Sequence, residues 1–105
     1  MKIQLLLFAS VREECDTSSI EVEMKEEASW TAFFTNVKTQ IPSLPAAASH
    51  CMLAVDEQYV DGGKSVLAAL GSENDSDLHA TIEKAGLPDI SSVREVAIIP
   101  PVSGG

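Results

Sequence analysis

The chain has 105 residues, the size of one domain with one hydrophobic core, which leaves little room for a deep active site. Its 16 acidic and 7 basic residues give a formal net charge of −9, so nucleic acid is not expected as a partner, because phosphate binding needs clusters of lysine and arginine. With 45% hydrophobic and 22% charged residues, the chain is too apolar to be disordered, and no apolar run is long enough to span a membrane. The acidity fits either a basic protein partner or a general gain in solubility.

The first two strands are predicted near the N-terminus. Residues 2–8 form a continuous apolar run, which is typical of a strand buried on both faces. The run is too short for a secretory signal and no Ala-x-Ala cleavage site follows it, so we expect a cytoplasmic protein. Residues 9–15 predict a short helical turn or loop. Residues 19–25 alternate apolar and charged side chains, which predicts a half-buried strand in an antiparallel hairpin with the first.

The clearest helix is predicted at residues 30–41. Apolar side chains recur there at helical spacing and form one stripe, made by Trp30, Phe33, Phe34, Val37 and Ile41. Ser29 is the predicted N-cap, and Pro42 ends the helix. Three aromatic rings on one stripe could also suit a ligand, but covering a small sheet requires the same residues, so we expect the stripe to pack in the core.

The middle of the chain predicts short elements. In order, we expect a connection at 43–49, a strand at 51–55, a turn at 56–58, a brief strand at 59–60 and a second turn at 61–63. Residues 65–70 predict a short helix closed by Gly71. Ser76 is the predicted cap of a further helix, which ends before Gly86 and whose apolar face is made by Leu78, Ile82 and Ala85.

The last strand is predicted at residues 95–99 and is ended by two prolines. The order of elements is then β-β-α-β, an insertion at residues 64–86, and a final β. This order predicts an α+β domain, with a helix packed across a mixed sheet and the last strand parallel to the first in the sheet centre. We assign residues 1–105 to this single domain and expect residues 102–105 to be a flexible C-terminal tail.

The residues that usually carry catalysis form no recognisable group. Cys15 and Cys51 make no CxxC pair, and together with His50 and His79 they do not have the spacing of a zinc site. We expect both thiols to be structural or incidental. We also expect no metal, no permanently bound cofactor and no catalysis by this chain on its own.

The chemically unusual feature is the sequence PPVSGG at residues 100–105. Two prolines hold the backbone extended, and two glycines without Cβ atoms can enter a narrow channel. We expect Gly105 to end the chain and its carboxylate to be the working group, ionised because the pKa of such a group is about 3.5. A carboxylate must be activated, for example as an acyl-adenylate, before a nucleophile can attack its acyl carbon. A separate ATP-using enzyme is therefore expected.

Three segments resemble the small subunits of molybdopterin synthases. Residues 8–13, FASVRE, resemble the FAxxRE segment that follows the family's first strand. Residues 53–56, LAVD, resemble its AVN strand, and residues 98–105, IIPPVSGG, resemble its terminal FFPPV[ST]GG. The likeness in strand order covers residues 1–60 and 87–105.

The resemblance implies a ubiquitin-like β-grasp fold and a sulfur carrier. A ubiquitin-activating-like enzyme would use ATP to adenylate Gly105 and convert it to a thiocarboxylate. The tail, comprising Val102, Ser103, Gly104 and Gly105, would then enter the large subunit of the synthase and deliver sulfur to cyclic pyranopterin monophosphate. Two carriers are consumed for each molybdopterin, which suits a heterotetramer.

The surface that would meet the large subunit is expected at Ile98, Ile99, Pro100 and Pro101, continuing into the tail. Adjacent strand residues point to opposite faces of a sheet, so one of Ile98 and Ile99 should fill the core and the other should face outward. An exposed apolar patch beside the tail would anchor it.

The chain departs from the family pattern at several positions. Ile98 and Ile99 replace an aromatic pair, Asp56 stands where asparagine is usual, residues 89–96 differ from the family's DGDEV turn, and residues 64–86 have no counterpart in shorter relatives. Two other functions therefore stay open. One is a related sulfur carrier for tRNA thiolation or thiamine synthesis, and the other is a ubiquitin-like protein modifier.

Overall fold

The structure is a computed structural model and describes residues 1–25, 28–72 and 74–101. The strands are β1 Lys2–Leu7, β2 Ser19–Glu23, β3 Met52–Val55, β4 Gln58–Tyr59 and β5 Glu95–Ile99. The α-helices are α1 Ala9–Cys15, α2 Trp30–Gln40, α3 Leu44–Ala48, α4 Gly63–Ala69 and α5 Asp75–Lys84, and a short 3₁₀ helix spans Ile90–Ser92. The predicted tail, residues 102–105, lies outside the described residues.

All five strands belong to one mixed sheet with the order β2-β1-β5-β3-β4. β1 pairs antiparallel with β2, as predicted for the hairpin, and parallel with β5. β3 pairs antiparallel with β5 on the other side. The predictions of an α+β domain and of a central last strand parallel to the first are confirmed.

The helices cover only one face of this sheet. Side chains of β1 alternate accordingly: Ile3, Leu5 and Leu7 are buried, whereas Lys2 and Gln4 are exposed and Leu6 is half-buried. The prediction that this strand is buried on both faces was wrong. Its continuous apolar run arises because Leu6 faces the open side, where an apolar side chain is tolerated but not required.

Helix α2 supplies the aromatic part of the core, as predicted. The Ser29 hydroxyl accepts a hydrogen bond from the Ala32 N–H at 3.1 Å and caps the first turn. The rings of Phe33 and Phe34 are fully buried, with centroids 5.1 Å apart in an edge-to-face arrangement. The indole N–H of Trp30 donates to the carbonyl of Pro88 at 2.7 Å, which satisfies the polar atom of that ring.

Two local predictions need correction. Residues 43–49, predicted as a connection, contain helix α3, because Pro45 lies in the first helical turn, where a proline loses no hydrogen bond, and three alanines follow it. The cap of α5 is Asn74 rather than Ser76. The Asn74 side chain accepts from the Ser76 N–H at 2.9 Å.

The segment 64–86 is part of the core. Helices α4 and α5 pack together, and their buried side chains include Val66, Leu67, Leu70, Leu78 and Ile82. Gly62 lets α4 approach the end of α5, since a Cβ at this position would lie 2.5 Å from the Cα atom of Ala85. That the segment is an insertion relative to shorter relatives stays a prediction.

The longest helix of the described residues is α2, with 11 residues. None of the helices in residues 1–25, 28–72 and 74–101 has the length and apolar character needed to cross a membrane.

Candidate functional site

The C-terminal segment leaves the sheet from its central strand. β5 ends at Ile99, Pro100 is half-buried and Pro101 is exposed. Proline cannot donate to a strand ladder, so the two prolines end the pairing and lead the chain away from the sheet. The predicted working residues Val102, Ser103, Gly104 and Gly105 lie outside the described residues, and the structure therefore fixes where the tail begins.

The two isoleucines at the end of β5 lie on opposite faces. Ile98 is fully buried under the helices, whereas Ile99 is half-buried on the open face. This confirms that one of the pair fills the core and the other faces outward. Ile98, which we expected to contact a partner, is not accessible, and of the two isoleucines Ile99 alone has a side chain that reaches the surface.

An apolar patch surrounds Ile99 on the open face. Met52 is directly opposite Ile99 in the β3–β5 register, and Ala54 is opposite both Ala97 and Tyr59. Phe8 extends β1, which runs parallel to β5, and places its side chain beside the end of β5. We define the apolar patch as Leu6, Phe8, Met52, Ala54, Tyr59, Ala97 and Ile99.

Three of the four large apolar side chains that are exposed among the described residues belong to this patch, and the fourth is Met1. Phe8 is 42% exposed, Met52 is 38% and Tyr59 is 63%. Only Ile99 of this patch was predicted. Apart from Ala97 on the same strand, its other members come from distant parts of the sequence, and the pairing of the strands brings them together.

The other half of the open face is polar. Lys2 on β1 forms an ion pair of 3.1 Å with Glu21 on β2, and Glu23 is directly opposite Lys2 in the register. The hydrogen bond to Glu21 and the charges of Glu21 and Glu23 raise the pKa of the Lys2 ammonium group. Both side chains of the pair are largely in solvent, so the pair has little effect on stability.

Asp56 holds the beginning of β5 in place. Its carboxylate oxygen accepts hydrogen bonds from the N–H groups of Arg94 at 3.0 Å and Glu95 at 2.9 Å. Its own N–H donates to the Glu95 carbonyl at 2.9 Å, with φ at +48°. Sequence comparison singled out Asp56 only as a departure from asparagine. Aspartate and asparagine both tolerate positive φ and both carry a side-chain oxygen that accepts hydrogen bonds. These two shared properties were the sequence signal from which the role of Asp56 could have been predicted.

The two thiols have no part in this surface. Cys51 is 2% exposed, and burial, followed by the charge of Glu14, raises its pKa, so the thiol stays protonated. Cys15 is half-buried and receives a weak contact of 3.6 Å from the Ser43 hydroxyl. Among the residues that the structure describes, no three His, Cys, Asp or Glu side chains are grouped closely enough to hold a metal ion.

Comparison with known proteins identifies the fold. The structure is similar to the crystal structure of SAMP1 from Haloferax volcanii, with a TM-score of 0.63 over 100% of both chains and 16% sequence identity. The fold is the ubiquitin-like β-grasp. At this identity the likeness concerns the fold alone. No protein-family model matches the chain, and no curated protein sequence does.

In this β-grasp, the open face and the C-terminal segment are neighbours. The apolar patch lies at the end of the sheet where β5 delivers the chain to Pro100 and Pro101, and the polar half lies towards β2. A partner that covers the patch would therefore also hold the start of the tail. The arrangement suits presentation of the chain end to another protein.

Proposed function

We propose that this protein is a ubiquitin-like sulfur carrier whose working group is the carboxylate of Gly105. The observation that carries the proposal is the position of β5. This strand is central in the sheet, is held on both sides by β1 and β3, and ends beside the apolar patch at the two prolines that precede VSGG. A tail that starts from a central strand has a fixed origin, which reduces the ordering cost when a partner binds it.

The chemistry needs two steps, neither of which this chain catalyses. In the first, a carboxylate oxygen of Gly105 attacks the α-phosphate of ATP on an activating enzyme, and pyrophosphate leaves. In the second, hydrosulfide attacks the acyl carbon, AMP leaves with that oxygen, and loss of the S–H proton leaves a thiocarboxylate. The proposal requires Gly105 to be the last residue of the mature chain.

Within this class, we propose the small subunit of a molybdopterin synthase. The support is the resemblance of IIPPVSGG and FASVRE to that family, together with the locations of the two motifs. Phe8, which begins FASVRE, and Ile99, which precedes PPVSGG, both belong to the apolar patch. One partner surface can therefore contact both motifs, and the large subunit of the synthase would be that partner.

The large subunit would present basic residues around its pocket. Such residues would meet the thiocarboxylate and the acidic surface of this chain, whose net charge is −9. Two copies of the carrier would serve one heterotetramer, because two sulfur atoms enter each product.

A ubiquitin-like protein modifier is the second candidate. The observations that favour it are the ubiquitin-like β-grasp fold and the Gly104-Gly105 pair that follows its central strand in the sequence. A modifier uses the same activated glycine, but an amine rather than sulfur attacks the acyl carbon and leaves Gly105 in an isopeptide bond. Conjugates of higher mass in cell extract would distinguish this function.

The direct test is the intact mass of the protein after co-expression with an activating enzyme and a sulfur-transfer enzyme. Replacement of one carboxylate oxygen by sulfur adds about 16 mass units at the chain end. We expect this species, and we expect it to disappear when Gly105 is deleted. A mass that stays unchanged in the presence of active enzymes would contradict the sulfur-carrier proposal.

The affinity of the chain for different partner enzymes tests which sulfur-transfer pathway the carrier serves. The full chain should bind the large subunit of a molybdopterin synthase more tightly than it binds a tRNA-thiolation or thiazole-forming enzyme. Tighter binding to either of the other enzymes would be consistent with a sulfur carrier but would refute its assignment to molybdopterin synthesis.

A further inference from the structure

We propose that the outer edge of β2 is a docking site for an extended, basic segment of a partner protein, which adds to the sheet as a further strand. The edge is formed by Ser19, Glu21 and Glu23. It is a different surface from the apolar patch and the tail, and its use does not depend on chemistry at Gly105.

The hydrogen-bond pattern of the hairpin identifies the backbone groups that point outward. The N-terminal amino group of Met1 donates to the Met24 carbonyl at 3.0 Å, and the Met24 N–H donates to the Met1 carbonyl at 2.7 Å. At the other end, the Leu7 N–H donates to the Ser18 carbonyl at 2.9 Å. In an antiparallel pair, residues whose backbone groups bond the neighbouring strand alternate with residues whose backbone groups point away from it. The even-numbered residues from 18 to 24 therefore direct their N–H and C=O groups towards β1.

The odd-numbered residues of β2 therefore direct their N–H and C=O groups away from the sheet. Within residues 1–25, 28–72 and 74–101, no strand pairs with this side of β2. Three residues at alternate positions give a ladder long enough for a partner strand of about five residues.

This edge is unusually regular. Its register runs over five consecutive pairs from Lys2–Glu23 to Leu6–Ser19 without a bulge, and β2 contains no proline. The opposite edge of the sheet is β4, which has only two residues. Folded proteins shorten, bend or charge their edge strands to prevent pairing, and β2 uses charge alone.

The charges determine which strand can pair here. Glu21 and Glu23 point to the open face, and Lys2 neutralises one of the two, which leaves a net charge of −1 on the three side chains. Pairing of β2 with β2 of a second copy would place glutamates against glutamates, which is unfavourable. A strand with lysine or arginine at every second position would place opposite charges there instead.

The other side of the incoming strand would meet apolar groups. Ile20 is half-buried on the helix side of β2 and packs against the edge of the core, where an incoming strand would meet it. The partner segment is therefore an amphipathic strand, with basic side chains on the open face and apolar side chains towards α2. This is the pattern of strand addition, in which the backbone gives affinity and alternate side chains give specificity.

The test uses a capped seven-residue peptide of alternating valine and lysine, titrated into the isotope-labelled full chain. We expect the amide signals of Ser19, Glu21 and Glu23 to shift and their hydrogen exchange to slow. A second peptide carries N-methyl groups on the backbone amides of both edges and keeps all its lysines. It should lose binding, because a ladder needs those donors whereas charge attraction does not.

Two charge variants complete the test. Glu23→Lys should weaken binding of the lysine peptide by about fivefold, because a favourable cross-strand pair becomes a repulsive one. Glu57→Lys makes the same change of net charge in the turn at the opposite edge of the sheet and should leave binding unchanged. A matching peptide of valine and glutamate should show the reverse preference for Glu23→Lys over the wild type.

Three results would overturn the proposal. The first is equal binding of the N-methylated and unmodified peptides, or equal weakening by both variants, which would mean general charge attraction. The second is no binding at millimolar peptide. The third is a concentration-dependent shift of the Glu21 and Glu23 amides without peptide, which would assign the edge to a second copy of this chain.

Discussion

The same five strands form two faces of very different character. The face under the helices is a continuous core of branched and aromatic side chains, whereas the open face divides into the apolar patch and a polar half. Adjacent residues of β5 make the contrast within one strand, since Ile98 is fully buried and Ile99 is half-buried. The comparison indicates that the covered face determines stability and that the open face is available for partners.

The contrast is tested most severely by the same substitution on the two faces. Ile98→Asp should destabilise the protein by at least about 4 kcal/mol, because it places an unpaired carboxylate in the core. Ile99→Asp should change stability by no more than about 1 kcal/mol, because the carboxylate can reach solvent. Urea unfolding followed by circular dichroism measures both, and similar losses would mean that the two faces are not distinct.

Ile99→Asp should nevertheless weaken binding to the large subunit of molybdopterin synthase by more than about tenfold, a loss of roughly 1.4 kcal/mol. Gln4→Asp adds the same charge in the polar half of the open face and is the control, with a smaller expected effect. Unchanged affinity of the Ile99 variant in a calorimetric titration would place the interface elsewhere.

Removal of an aromatic ring gives the next largest effect. Phe33→Ala should destabilise the protein by about 3–5 kcal/mol, because the ring is fully buried between α2 and the sheet. Tyr59→Ala removes a ring of similar size from the open face, where it is 63% exposed, and should cost less than about 1 kcal/mol. If Phe33→Ala melted like the wild type yet lost activity, the assignment of α2 to the core would be wrong.

Two glycines provide the smallest effect and test how α4 and α5 join the covered face. Gly62→Ala should cost about 1–3 kcal/mol, because the new Cβ would collide with the backbone of Ala85. At Gly71 no described atom lies within 4 Å of the position of an added Cβ, so Gly71→Ala should be neutral or stabilising by up to about 1 kcal/mol. Thermal melts of the two variants in parallel would sharpen the comparison, and equal shifts would refute the close packing.

Regular patterns made most of the covered face predictable from the sequence. Alternation at residues 19–25 gives β2, and helical spacing at residues 30–41 gives α2 with Ser29 as its cap. The open face was harder, because Leu6 faces it although it lies in a run that is typical of a doubly buried strand. An apolar side chain can be buried or exposed, so hydrophobicity alone does not predict which face of the sheet the helices cover.

The candidate site, too, was only partly predictable from the sequence. Its motif at residues 98–105 is continuous in sequence and could be recognised there. The patch around Ile99 could not, because Met52 and Tyr59 lie on β3 and β4 and Phe8 follows β1, so that only the pairing of the strands brings them together. The role of Asp56 was also hidden, since its partners Arg94 and Glu95 are 38 and 39 residues away.

The most direct test of the carrier function compares the full chain with a chain that ends at Gly104, each treated with the activating and sulfur-transfer enzymes. Both are then mixed with the large subunit and cyclic pyranopterin monophosphate, and molybdopterin is measured in a single turnover. The full chain should form product, whereas the shortened chain should form none while its free energy of unfolding stays within about 0.5 kcal/mol of the full chain. Sulfur transfer by the shortened chain would contradict the assignment of the working group to Gly105.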